Sequence, residues 1–298
     1  LRELSVNFVR GLLESQCPDM RIDSLESYPN AGAMNLIFKM NKNILIRLPN
    51  GQISEDQLSR EICSLRHIKP LGRLAFPELL FLGKSTFDYK YNWAIFRWIP
   101  GVSLSFSKVM DRSSLIEPLV AFLSHLRLHN NIKDSQLIPS KSNYFRGGSL
   151  SLRTKWVEDC ISILPASIPK SDLLGVWREA TASVSHKEDC LVHGDLHPGN
   201  ILVDDSNLCG IIDFGCAAIG DPACDLLPAW SIFDSVERRR FVGALCIDRS
   251  EYLRGRGWAL SFALGAISEF PGENLGKIGE FTLKQILDDL PPNSEPVD

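Results

Sequence analysis

The 298-residue sequence predicts an α+β chain in two unequal parts. Three observations carry that expectation. Up to Pro100 the apolar residues fall mostly in short β-rich runs separated by turns. Beyond Pro100-Gly101 they recur mostly at helical spacing, interrupted once by a β-rich stretch from Cys190 to Asp213. The charge also divides, with a balance of +3 before residue 101 and −7 after it.

In order along the chain, Leu4, Phe8 and Leu12 define an amphipathic helix within the first sixteen residues. The charged and polar residues among them break the uninterrupted apolar run that an export signal needs. Leu36–Met40 and Ile44–Leu48 are two β-rich runs that form a hairpin around the Asn-containing turn Asn41-Lys42-Asn43. Ile62, Leu65 and Ile68 place a helix over Gln57, Glu61 and Leu65. Strands follow at Phe76–Gly83 and Tyr91–Ile99, the second broken by Pro100-Gly101. Leu115, Leu119, Phe122, Leu123 and Leu126 predict a buried helix with Pro118 in its first turn. Further helices are expected near Ser171–Val184, Ser235–Cys246, Gly257–Ser268 and Gly276–Leu290.

Composition excludes several classes. The apolar fraction of 44% supports a substantial core, and a net charge of −4 argues against a dedicated nucleic-acid binder. The most apolar stretch, Trp258–Ile267, falls short of the ~20 residues that span a bilayer, so no membrane partner is expected. The eight cysteines are scattered without a CxxC, and free thiols in a cytoplasmic protein are the expectation. Nothing in the sequence calls for an obligate protein partner.

Chemistry concentrates in Leu191-Val-His-Gly-Asp-Leu-His-Pro-Gly-Asn-Ile-Leu-Val203 and Gly210-Ile-Ile-Asp-Phe-Gly215. Asn200 lies five residues after Asp195 and opens a strand. The turn Asp204–Asn207 returns a second strand that ends on Asp213. The hairpin thus sets Asn200 and Asp213 at one end, with Asp195 on the loop before it. Phosphoryl transfer needs one carboxylate facing the acceptor hydroxyl, and an amide oxygen with a second carboxylate for Mg²⁺. The spacing matches the kinase pattern D-L-x-x-x-N followed by D-F-G. His193 and His197 are four apart, but Pro198-Gly199 break any helix and no H-E-x-x-H is present, so structural histidines are expected.

At these residues the chain resembles the aminoglycoside phosphotransferase family of small-molecule kinases. His193–Leu202 matches its HGDLHPGNIL, and Ile212–Gly215 with Gly220-Asp-Pro-Ala-Cys-Asp-Leu226 matches its IDFG and GDPxxDL. The likeness extends upstream to Asn30–Asn35, Arg47 and Glu61, and downstream to Arg254–Leu260. It implies a protein-kinase-like bilobal fold, with a nucleotide-binding lobe over 1–100, a hinge at about 96–101, and a helical lobe over 101–298 holding the catalytic loop and acceptor site. It implies Asp195 as general base or acceptor-orienting carboxylate, and Asn200 and Asp213 as Mg²⁺ ligands. Arg47 would stand where kinases keep the phosphate lysine, paired with Glu61. Gly32 and Asn35 would cover the phosphates, and Arg97 and Ile99 would flank the nucleotide base. Two departures stand out: arginine in place of that lysine, and no GxGxxG.

Only Cys216–Ile219 separate Phe214-Gly215 from Gly220-Asp221-Pro222, too few for a protein kinase's activation segment. Gly194 also replaces the arginine of His-Arg-Asp, so activity without phosphorylation is expected. The expected reaction moves the γ-phosphate of ATP or GTP to a hydroxyl of a small cation such as an aminoglycoside, the acidic part supplying the attraction. Asp234, Glu237, Glu251, Glu269 and Glu273 are the candidate acceptor carboxylates. A macrolide, choline, amino-alcohol or sugar kinase, and a nucleotide-binding pseudokinase, are the alternatives.

Overall fold

The computed structural model describes residues 4–28, 34–105 and 111–291. It is mixed α+β, strand-rich in its first part and mostly helical after it. Helix α1 (Val6–Gln16) is capped by Ser5, whose side chain accepts from the Phe8 N–H, and buries Val9, Leu12 and Leu13. Strands β1 (Leu25–Ser27), β2 (Asn35–Met40), β3 (Ile44–Pro49), β4 (Leu79–Gly83) and β5 (Trp93–Arg97) form one antiparallel sheet in the order β1-β2-β3-β5-β4. The β2–β3 turn has positive φ, 50° at Asn41 and 64° at Lys42. The Asn41 side chain also accepts from the Asp23 and Ser24 N–H groups, tying β1 to the hairpin. Helix α2 (Gln52–Leu65) packs Leu58 and Ile62 against Ala94 and Phe96 of β5.

The expected strand at Phe76–Gly83 shortens to Leu79–Gly83, since Pro77 has no N–H to offer a ladder. The expected strand at Tyr91–Ile99 shortens to Trp93–Arg97. Its ends are drawn off: the Asn92 N–H goes to Glu55, and the Trp98 N–H to the Asn43 carbonyl.

After Gly101, β6 (Val102–Ser103) joins β8 (Ile201–Asp204) and β9 (Asn207–Ile211) in a three-stranded sheet, and β7 (Cys190–Val192) pairs with β10 (Ala218–Gly220). The helices are α3 (Ile116–Arg127), α4 (Thr154–Ile163), α5 (Lys170–Ala182), α6 (Pro228–Ser231), α7 (Ser235–Ala244), α8 (Arg249–Glu269) and α9 (Asn274–Asp288). Helix α8 is the core's axis: Trp258, Ala259, Leu260, Ala263 and Leu264 are fully buried in one cluster that also takes in Trp177 of α5, Trp230 of α6 and Leu283 of α9. It begins eight residues before the expected start at Gly257. Asp248 caps it by accepting the Glu251 N–H, and its first turns bury Glu251, Arg254 and Arg256 in ion pairs rather than showing an apolar stripe. Helix α4, absent from the sequence reading, buries Val157, Cys160 and Ile161 on one face.

All eight cysteines are free. Among the described residues no helix is long and apolar enough to cross a membrane.

Candidate active site

Strand β7 delivers the chain to the loop His193–Asn200, and β8 carries it away. Gly194 has φ +80°, and a Cβ there would lie 2.3 Å from the Cys216 carbonyl oxygen, so only glycine fits. The His193 and Gly194 N–H groups donate to the buried Asp225 carboxylate at 2.7 and 2.8 Å. Burial pushes that carboxyl's pKa up, against His193 and the two N–H donors. His193 Nδ1 accepts the Asp195 N–H at 3.2 Å. Its Nε2 therefore carries the ring proton and donates to the Ile212 carbonyl at 3.0 Å. One imidazole thus joins the loop bearing Asp195 to the strand end bearing Asp213.

The Asp195 side chain is a quarter exposed, with Oδ1 3.6 Å from Arg146 Nη2 and Oδ2 3.6 Å from His197 Nε2. Burial works to raise its pKa, but His197, Arg146 and His193 outweigh it and hold the carboxyl down at about 2. The acid form is therefore absent at physiological pH. His197 is fixed on both sides: Nδ1 accepts the Gly199 N–H at 3.0 Å, and the ring stacks on Phe262 of α8. Arg146 lies over the Trp258 ring. Asn200 donates Nδ2–H to the Asp195 carbonyl at 2.9 Å, which leaves its Oδ1 to accept or ligate.

Asp213 sits in the left-handed region, φ 65°, and its side chain is 45% exposed. Arg47 Nη1 of β3 lies 3.6 Å from its Oδ1, and the same nitrogen is 2.5 Å from Glu61 Oε2 of α2. The other Glu61 oxygen accepts the Phe214 N–H at 3.1 Å. Glu61 is fully buried; burial and the Asp213 charge push its pKa up to about 7, against Arg47 and the Phe214 N–H. Arg47 Nε is buried and has no partner among the described residues. The sheet, α2 and the Asp213 loop thus converge on one charged cluster.

Helix α2 is also tied to the helical part. Arg60, buried, donates to the Ala217 and Ile138 carbonyls and to Ser140 Oγ, all at 3.0–3.1 Å. Gln57 donates to the Ser142 carbonyl at 2.9 Å. The short segment after Gly215 becomes β10, and a Cβ at Gly220 would stand 2.1 Å from the Gly147 carbonyl oxygen.

The structure therefore brings Asp195, Asn200, Asp213, Arg47 and Glu61 into one connected network. Asn35 opens β2, and its Oδ1 is buried without a partner among the described residues. Gly32 lies outside the described residues. Arg97 is half-exposed and paired with Glu78, so its side chain points away from the network; Ile99 is half-buried against Gly210 of β9.

The acceptor carboxylates scatter, and one of them, Glu251, needs correction. Glu251 is fully buried and paired with Arg127 and Lys187, which removes it from any cleft. Asp234 and Glu237 form a capping box at the start of α7, each bonded to the other's backbone N–H. Glu273 is exposed at the start of α9. Glu269 stands within electrostatic reach of Tyr144, whose pKa is raised by burial first, then by Cys216, Glu269 and Asp195. Arg153 belongs to the same wall, donating to the Tyr144 carbonyl at 2.8 Å.

Sequence reasoning assigned no role to Arg60, Arg146 or Asp225. Asp225 stands in the matched GDPxxDL stretch, a usable signal. Arg60 and Arg146 lie far from the loop in sequence and belong to no local pattern.

Comparison with known proteins agrees with this fold. The model of the phosphotransferase enzyme family (APH) matches residues 30–259. Among solved structures, a GDP and kanamycin complex of an APH(2″) enzyme superposes with a TM-score of 0.70 at 20% identity, covering 95% of this chain and 99% of the other. An apo aminoglycoside phosphotransferase APH(4)-Ia gives 0.64 at 15% identity, with 93% and 98% covered. A macrolide 2′-phosphotransferase type I gives 0.60 at 15% identity, with 94% and 98% covered. No curated protein sequence matches the chain significantly.

Proposed function

The chain belongs to the phosphotransferase enzyme family, and from that premise we propose that it moves the γ-phosphate of ATP or GTP to a hydroxyl of a small, cationic acceptor. The observation that carries this reading is the single network joining Asp195, Asn200, Asp213, Arg47 and Glu61. The reading divides the molecule near Pro100, with the nucleotide against the sheet and the acceptor against the helical part. It also places the enzyme in the cytoplasm, with its cysteines reduced.

Asp195 takes the acceptor hydroxyl. With a pKa near 2 it is a weak base, so it aligns the hydroxyl by accepting its hydrogen bond. It receives the proton only as the oxygen–phosphorus bond forms, when that proton has become acidic. Arg146 and His197 hold the carboxylate in place. Asn200 Oδ1 and the half-exposed Asp213 carboxylate are hard oxygen donors that suit Mg²⁺. When bound, that ion neutralises phosphate charge. Arg47, its side chain still partly exposed, brings its guanidinium charge to the phosphate side, and Glu61 keeps that guanidinium in place. On this reading Asn35 borders the phosphate side, and the backbone from Arg97 to Ile99 borders the base. Arg60 and Gln57 hold α2 against the helical part, so no phosphorylation is needed for competence.

Glu269 supports a cationic acceptor, with Glu273 next along the chain. A neutral acceptor is the second reading, favoured by the cations Arg146 and Arg153 on the same wall. The test is product mass spectrometry with ATP and GTP against aminoglycosides, macrolides, amino alcohols and sugars. A phosphorylated cation whose KM rises with salt supports the proposal, since exposed charges are screened within about 8–10 Å. Phosphorylation of neutral acceptors only would select the second reading. An absence of product from every acceptor, with nucleotide still bound, would favour a pseudokinase.

A further inference from the structure

Away from the active site, Cys63 Sγ, an imidazole nitrogen of His67 and a carboxylate oxygen of Asp134 lie within 4.8 Å of one another. Cys63 is on α2, and His67 follows one turn later, where the His67 N–H bonds to the Ser64 carbonyl and continues the helical path. The i, i+4 spacing puts both side chains on one face. Asp134 reaches them from the segment after α3. Its Oδ1 is held by the Gln136 N–H at 2.9 Å, and its Oδ2 accepts from the Cys63 thiol at 3.0 Å. Two more imidazoles stand beside this group. The His125 and His129 rings are 5.1 Å apart, and each has a buried Nε2 without a partner among the described residues.

We propose that Cys63, His67 and Asp134 form a binding site for a zinc-class divalent cation, clamping the end of α2 to the segment after α3. One thiolate, one imidazole and one carboxylate match the ligand chemistry of zinc, with water completing four. Donor atoms on a tetrahedral zinc stand about 3.5 Å apart. The half-buried His67 and Asp134 side chains can close the remaining gap by small rotations. Binding replaces the proton on Cys63 sulfur with the metal, and that proton leaves to solvent. The consequence is local to α2: Cys63 follows Glu61 by two residues, so the clamp would brace the helix that holds Arg47. None of these three residues belongs to the proposed Mg²⁺ set, so the site stands or falls independently of the phosphotransferase reading.

The test uses the full chain, stripped with a chelator and titrated with Co²⁺, then Zn²⁺. A thiolate-to-cobalt charge-transfer band saturating at one Co²⁺ per chain is expected, with displacement by Zn²⁺ and a rise in Tm. C63S keeps a hydroxyl for Asp134 and should fold, yet lose the band. H67N, at a half-buried position, should weaken Co²⁺ binding at least about ten-fold. C246S, at an exposed cysteine, should leave both unchanged. Cobalt on the oxygen ligands of the active site gives no thiolate band. The proposal is overturned if no band forms, or if the band survives in C63S.

Discussion

Arg47→Ala should do more than weaken nucleotide binding. The guanidinium is 13% exposed and its partner Glu61 is fully buried, so the substitution leaves a buried carboxylate with only the Phe214 N–H for compensation. Above pH 7, where Glu61 is ionised, removing one partner of a buried pair typically costs about 3–5 kcal/mol, chiefly the penalty of the stranded charge or of the proton Glu61 must take up instead. Adding Glu61→Gln removes that charge while keeping an acceptor for Phe214. The double variant should therefore recover most of the lost stability, leaving about 1–2 kcal/mol, a hydrogen-bond-sized deficit. It should not recover nucleotide affinity, because the cation is still missing. Urea unfolding of wild type, R47A, E61Q and R47A/E61Q gives the stability cycle, and calorimetric titration with the nucleotide gives binding. A loss under about 1 kcal/mol for R47A, or a double variant no more stable than R47A, would refute the stranded-charge argument. Unchanged nucleotide affinity in R47A would refute the role of Arg47.

Gly194→Ala must displace the Cys216 carbonyl, only 2.3 Å from the new Cβ, and adopt φ +80°; a fall in kcat exceeding any change in nucleotide KM is expected, and wild-type kcat would contradict the packing. Asp213→Ala should abolish Mg²⁺-dependent nucleotide binding; calorimetry with and without Mg²⁺ would contradict this if affinity were retained. The pH dependence separates activity from stability. Glu61 has a pKa raised from the ordinary 4.5 to about 7, so as pH falls through 7 it takes up a proton and releases Arg47; kcat/KM for the nucleotide should fall there. The folded chain holds that proton more tightly than the unfolded one, so Glu61's contribution to stability grows, rather than falls, from pH 7 toward 4.5. Asp195 has the opposite sign: its contribution is complete above the ordinary 3.8 and is lost as pH falls through about 2. A kcat/KM profile flat from pH 8 to pH 5 would contradict the Glu61 assignment.

The fold class and the reacting end of the site are legible in the sequence because their determinants are local. His193–Asn200 and Asp213 lie within one hairpin's length, and their spacing survives folding unchanged. The supports are not local. Arg146 meets Asp195 across forty-nine positions, and Arg60 reaches Ala217 with a sequence separation of 157. Neither pairing leaves a periodic trace. Acceptor carboxylates chosen by net charge fared worst, since charge alone does not reveal a partner. Glu251 is neutralised by Arg127 from another helix. Asp234 and Glu237, by contrast, stand at the N-cap and N3 spacing of a capping box, a signal readable in advance. The early start of α8 escaped notice because buried ion pairs replace its apolar stripe.

The central claim is that Asp195 handles the acceptor while Arg47, Asn200 and Asp213 handle the nucleotide. Its most direct test is Asp195→Asn, with product formation by mass spectrometry and nucleotide affinity by calorimetry measured on the same preparation. The account predicts turnover lower by about 10²–10⁴-fold, with nucleotide affinity within about three-fold of wild type. Turnover within about ten-fold of wild type, or nucleotide affinity lost together with turnover, would contradict it.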